Sequence, residues 1–149
     1  MIISILICQG AGLAGSLFTM PAISSGWYAG LIKPRFTPPS WVFAPAWTTL
    51  FLLMGIALYL VWIKEGEKKK KALIIFAVQL VLNALWSILF FGLKSPLLGM
   101  IDIIFLWAAI LGTIIAFGKI SKKAGWLLAP YLGWVSFASL LNFYILKLN

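Results

Sequence analysis

The side chains of chemical character in this sequence are mostly aromatic rings and amides, and three helical stripes collect them. Phe43, Trp47 and Phe51 recur every four residues, on one side of a helix. Gln79, Asn83, Trp86, Ser87 and Phe90 fall at i, i+4, i+7, i+8 and i+11, also one side. Tyr131, Trp134, Ala138 and Leu141 share a third face. Flat aromatic walls with a few amide and hydroxyl groups suit a planar, largely apolar ligand. Amides face lipid poorly, so Gln79 and Asn83 are expected to point inward, to each other, to backbone or to a ligand's polar end. The plainer reading, that aromatic stripes are core packing, stays open at this point.

Other chemistry is largely excluded. The chain has no histidine, one cysteine, one aspartate and two glutamates. That leaves no ligand set for a metal and none of the parts of a Ser-His-Asp or Cys-His site. Asp102 has no acidic neighbour in sequence, which argues against paired-carboxylate catalysis. As the one ionisable residue well inside an apolar stretch, Asp102 reads equally as a functional group or as a neutral, hydrogen-bonded structural one. Cys8 cannot form an internal disulfide and is expected to pack as a small apolar side chain.

The elements that position these residues follow from where charge is missing. Of 149 residues 63% are hydrophobic and 10% charged, whereas a soluble domain carries roughly a quarter. No charged side chain occurs in 1–32, 36–63, 72–93 or 124–146, and only Asp102 in 95–118. A spanning helix needs ~20 apolar residues to cross a ~30 Å hydrocarbon core. The fold class expected is therefore all-α, a single integral membrane bundle of five transmembrane helices, with little mass outside. The spans predicted are about 2–20, 41–62, 72–92, 95–117 and 124–146. Pro21 is expected to end the first, and Pro45 sits harmlessly in the first turn of the second. A cleaved signal peptide is the alternative for the first span, but it lacks a positive leading region and its apolar run is long. Gly12 and Ser16, and Ala108, Gly112 and Ala116, repeat at four-residue spacing and read as close helix contacts within the bundle or in a homodimer.

Net charge +9 would suggest nucleic acid in a soluble protein; here the cations sit in short loops and orient helices instead. Lys64, Lys68, Lys69, Lys70, Lys71, Lys119, Lys122 and Lys123 fall on one side, and Lys33, Arg35, Lys94 and Lys147 on the other. Eight against four predicts a cytoplasmic N-terminus and an external C-terminus. Membrane lipid is a partner by this reading, with Lys68 to Lys71 close to anionic head groups; nucleic acid is not.

Residues 27–47 hold three Trp, one Tyr, two Phe, four Pro and two cations in 21 positions. An interfacial aromatic belt accounts for Trp41 and Trp62. It accounts less well for the prolines, which restrict the chain on both sides and make sense where a fixed shape is useful. A stiff aromatic loop over 21–40 is a reasonable lid for a hydrophobic pocket between the helices.

Trp27-Tyr28, Lys33-Pro34 and Pro38-Pro39 followed by Trp47, then Gln79, Asn83 and Trp86, then Pro130-Tyr131, Trp134, Ala138 and Asn142, resemble the TspO family. These are tryptophan-rich sensory proteins of bacteria, related to the mitochondrial translocator protein (peripheral benzodiazepine receptor). The resemblance covers nearly the whole chain. It implies a five-helix bundle, often a homodimer, that needs no resident cofactor. The ligands implied are protoporphyrin IX or haem-like tetrapyrroles, isoquinoline or benzodiazepine-type drugs and, doubtfully for a bacterial membrane, sterol. The sterol motif would be Leu141, Tyr144 and Lys147. Family binding residues carry over onto Tyr28, Phe43, Trp47, Phe51, Asn83, Trp86, Ser87, Trp134, Ala138 and Leu141.

The function this implies is porphyrin binding in transport, sensing or regulation, from a bacterial cell membrane. One alternative is light- and oxygen-dependent porphyrin breakdown, in which Trp47 and Trp134 match the family's redox tryptophans. A second is a structural scaffold whose stripes are only core.

Overall fold

The structure is a computed structural model that describes residues 1–149, the side chain of Ser40 excepted. Its elements are α1 (Ile2–Ser24), α2 (Phe43–Trp62), α3 (Lys68–Ser87), α4 (Pro96–Gly118), α5 (Lys122–Leu127) and α6 (Ala129–Leu148). A short 3-10 turn at Ser40–Val42 precedes α2, and a π-helical turn at Ile88–Gly92 extends α3. Five helical stretches are long and apolar enough to cross a membrane, with α5 and α6 together forming the fifth. The chain is a membrane helical bundle, and among the described residues it contains no strand.

The helices are brought together by glycine. A Cβ on Gly55 of α2 would lie 2.6 Å from the Ile5 Cα of α1, so the two backbones meet there. Gly15 of α1 sits against Ser87 of α3, and Gly12 against the Phe51 ring. Gly112 of α4 lies beside Ile75 of α3, so that part of the α4 small-residue face packs within the bundle. α1 packs on α2 and α3, α3 on α4, and α4 on α6, while α5 reaches α2. The α2 and α6 backbones stay largely apart, and aromatic side chains such as Trp47 and Trp134 meet across part of the gap.

The core divides in two. At the lysine-rich end, Phe76 and Phe117 stack at 5.5 Å among Met54, Ala57, Val61 and Ile110. Cys8 is buried in this cluster as a small apolar side chain. At the other end Ala22, Tyr28, Phe90, Phe91, Leu141 and Ile145 form a second cluster beneath the first loop.

Helix ends differ from the sequence reading in four places. α1 does not stop at Pro21 but runs on to Ser24, because the Pro21 carbonyl is used by the Ser25 N–H at 2.9 Å and one missing donor is tolerable in a last turn. α3 starts at Lys68, four residues before the expected Ala72; the lysine run is its first turn, and Lys69 Nζ donates back to the Trp62 carbonyl. The π turn lets both Phe90 and Phe91 join the inner cluster, where an unbroken helix would turn one of them away. The last span breaks at Leu128, since Pro130 opens α6 and donates no hydrogen bond to the preceding turn. The α4 start is as expected: Pro96 follows Ser95, whose hydroxyl accepts from the Leu98 N–H.

Candidate functional site

Where α2 and α6 stand apart, the bundle encloses a cavity of about 440 Å³, inside the range of small-molecule sites. Its walls come from α1, α2, α3 with its π turn, and α6, and Tyr28 of the first loop closes it above. All ten residues singled out from sequence line it: Tyr28, Phe43, Trp47, Phe51, Asn83, Trp86, Ser87, Trp134, Ala138 and Leu141.

The aromatic rings lock one another edge to face. Trp47 meets Trp134 at 6.3 Å and 88°, Phe43 meets Trp134 at 6.1 Å, and Tyr28 meets Phe43 at 6.1 Å. Trp86 stacks on Phe90 at 5.1 Å. Such pairs hold a shape that a flat guest can occupy without the walls first having to order.

The polar groups fall into two sets. One is satisfied by the protein: Asn83 Nδ2 donates to Tyr131 Oη at 2.6 Å, and Tyr131 Oη to Gln79 Oε1 at 2.7 Å. Likewise Trp86 Nε1 donates to Asn142 Oδ1 at 3.1 Å, and Asn142 Nδ2 to the Pro96 carbonyl at 2.8 Å. The other set has no partner: Tyr28 Oη and Trp134 Nε1 are buried donors left unbonded, and both residues line the cavity with other atoms of their rings. Burial pushes the Tyr28 phenol up to about 12, so it stays protonated and able to donate near neutral pH.

The loop that carries Tyr28 is held at both edges. Lys33 Nζ donates to the carbonyls of Tyr28 (2.7 Å), Leu31 (3.2 Å) and Ala29 (3.4 Å) and lies 4.7 Å from the centre of the Tyr28 ring. Asn149, after α6, clasps Ile32 at two points, accepting from its N–H and donating to its carbonyl.

Sequence reasoning missed the contribution of α1. Gln9, Gly12, Gly15, Ser16 and Thr19 line the cavity, as do Thr48 and Asn142. Gly12 and Ser16 carry the only signal for this, their small size, and it reads as helix packing. Gln79 lies beneath the cavity rather than on its wall, and Asp102 is buried away from it with Oδ2 unpartnered. Tyr144 packs on Phe36 at 5.7 Å, outside the cavity. Trp41 and Trp62 are exposed, where an interfacial belt needs them.

A bundle of membrane-crossing helices around an aromatic cavity, roofed by a proline-rich loop, defines an integral membrane protein with an internal cavity. The family model for TspO/MBR proteins matches residues 4–148, and the chain belongs to that family. It is 51% identical to the tryptophan-rich protein TspO of Chlorobaculum tepidum, over 96% of this chain and 91% of that one. It is 50% identical to the protein of the same name from Archaeoglobus fulgidus, over 100% and 96%. It is also 38% identical to the translocator protein of Homo sapiens, over 83% of this chain and 75% of the human one.

Proposed function

We propose that this protein binds planar, largely apolar tetrapyrroles of the protoporphyrin type in the cavity, and acts through that binding in their transport, sensing or regulation. The observation that carries the reading is an aromatic-rich cavity, two of whose lining residues, Tyr28 and Trp134, each hold a buried donor without a partner. A buried donor without a partner costs roughly 1–3 kcal/mol, and a ligand carboxylate or carbonyl relieves it once a small turn of the ring brings the donor to the cavity surface. The names of the relatives, among them translocator and tryptophan-rich sensory protein, agree with handling a ligand. Isoquinoline-type drugs suit the same walls; sterol, whose saturated rings offer no π face and a single hydroxyl, suits them less.

Protoporphyrin IX titration should quench tryptophan fluorescence. Tyr28→Phe and Trp134→Phe should each weaken binding about tenfold, the equivalent of about 1.4 kcal/mol. Unchanged affinity in both variants would remove the basis of this reading.

The same reading has the chain as a homodimer in a bacterial cell membrane, with the N-terminus cytoplasmic. Eight cations in two loops against four elsewhere support that orientation. Reporters fused to the two termini should report opposite sides; the same side for both would sink it.

A second reading has one specific support. Trp47 and Trp134 touch on the cavity wall, where they could act as redox partners of an illuminated porphyrin in the presence of oxygen. Illumination of the loaded protein should then give a new absorbing product only with oxygen. The same product from a Trp47→Phe, Trp134→Phe double variant would defeat it.

A further inference from the structure

We propose that the cavity is reached sideways, through a slot between α1 and α2 that opens to the hydrocarbon in the half of the membrane nearer the first loop. The occupant is a planar apolar molecule dissolved in the bilayer, which rests on the binding reading above.

The seam between the two helices can be followed residue by residue. On α1 it runs Ile5, Gln9, Gly12, Ser16, and on α2, in the opposite sense, Gly55, Phe51, Thr48, Ala44; both follow the i, i+4, i+7, i+11 spacing of one helix face. The seam is closed at its lower end. Gly55 admits the Ile5 backbone, Gly12 admits the Phe51 ring, and Gln9 Nε2 donates to the Thr48 carbonyl at 3.1 Å. The next positions towards the loop are Ser16 and Ala44, two small side chains that both line the cavity.

The residues beside this gap touch two environments at once. Leu13 and Met20 of α1 are 68% and 60% exposed, Ala44 and Thr48 of α2 are exposed as well, and all four line the cavity. A side chain that faces both the outside and a cavity marks its mouth. On α1 the opposite edge is shut, since Gly15 sits against Ser87 of α3.

The roof is shut too. Tyr28 is buried over the cavity, Lys33 ties three loop carbonyls together, and Asn149 holds Ile32 by both backbone groups. Passage from water would break these bonds; passage from lipid breaks none. A lipid-facing mouth also selects for molecules that partition into hydrocarbon before they bind.

The test uses the full chain in liposomes and two probes. A bilayer-dissolved aryl diazirine, which inserts into nearby C–H bonds on illumination, should label the cavity-wall residues Trp134 and Ala138. That labelling should be lost in Ala44→Phe and, as a second and milder plug, in Thr48→Leu, while the outward-facing Leu17 stays labelled. With protoporphyrin IX as the second probe, both variants should slow association and dissociation together by about tenfold, whereas a merely lost wall contact would quicken dissociation. Asn149→Ala should leave both rates unchanged. Cavity walls unlabelled in the wild type, or labelled equally in both plugged variants, would overturn the slot. So would rates that rise in Asn149→Ala and ignore the plugs. Labelling as expected without any protoporphyrin IX binding would support the slot and overturn the tetrapyrrole reading alone.

Discussion

Tyr131 Oη donates to Gln79 Oε1 across 2.7 Å, joining α6 to α3 in the interior of a membrane bundle. The same oxygen accepts from Asn83 Nδ2 at 2.6 Å, so a single phenol satisfies an amide below the cavity and another on its wall. In hydrocarbon neither amide could turn to water instead. Tyr131→Phe is therefore expected to lower unfolding stability by about 1–2 kcal/mol, within the range measured for hydrogen bonds between membrane helices. Adding Gln79→Leu should recover part of the loss, because it removes the acceptor that Tyr131→Phe leaves unpaired. Denaturant unfolding in detergent micelles measures both, and equal stability of Tyr131→Phe and wild type would show the bond to be worth nothing.

Asn142 lines the cavity and also positions a neighbour on its wall. It accepts from Trp86 Nε1 and donates to the Pro96 carbonyl, fixing the indole that stacks on Phe90. Asn142→Leu fills the same space without either bond. The Trp86 ring is then free to turn, and protoporphyrin IX affinity should fall about tenfold through lost preorganisation. Fluorescence titration reads the change, and Trp86→Phe should bring no further loss when combined with it.

How much of this was legible in the sequence depends on what each residue advertises. The spans are legible because charge is confined to a few short stretches; nine of the ten cavity residues lie on the three faces marked at helical spacing, and Tyr28 comes only with the resemblance to the TspO family. α1 advertises nothing of the kind. Its cavity face is built from Gln9, glycines, Ser16 and Thr19, whose role lies in the space they leave, and empty space has no periodic signature. The π turn at Ile88–Gly92 is equally silent, since one residue of extra register costs nothing in composition. Pro21 misled in the other direction: the rule that proline ends a helix holds for interiors, whereas here the chain had one more turn to complete.

Gly55 sets how close α1 and α2 come. A methyl group there would lie 2.6 Å from the Ile5 Cα and 2.8 Å from its Cγ1, and backbone cannot give way as a flexible side-chain end does. Gly55→Ala should cost about 1–3 kcal/mol by overpacking, and Gly55→Leu should prevent folding. Gly133, with nothing within 4 Å of its added Cβ, provides the control: Gly133→Ala should leave stability unchanged or slightly raised. Thermal unfolding of the three variants side by side decides it.

The roof should fail in alkali before the bundle does. Tyr28 is buried beneath the loop, and burial raises its phenol from 10 to about 12. A raised value means that the closed loop favours the protonated form. Its contribution is complete below pH 10 and is lost as pH rises through about 12, because the open loop releases the proton first. The Lys33 ammonium over the same ring ties the loop to the Tyr28 carbonyl. Hydrogen exchange of the 26–37 amides should therefore quicken between pH 10 and 12, beyond the intrinsic rise with pH, while the α4 amides keep their protection. Tyr28→Phe should abolish that step, and Lys33→Met should raise loop exchange about tenfold at neutral pH by freeing three carbonyls. A loop that opens at the same pH with phenylalanine in place of Tyr28 would show that some other group controls it.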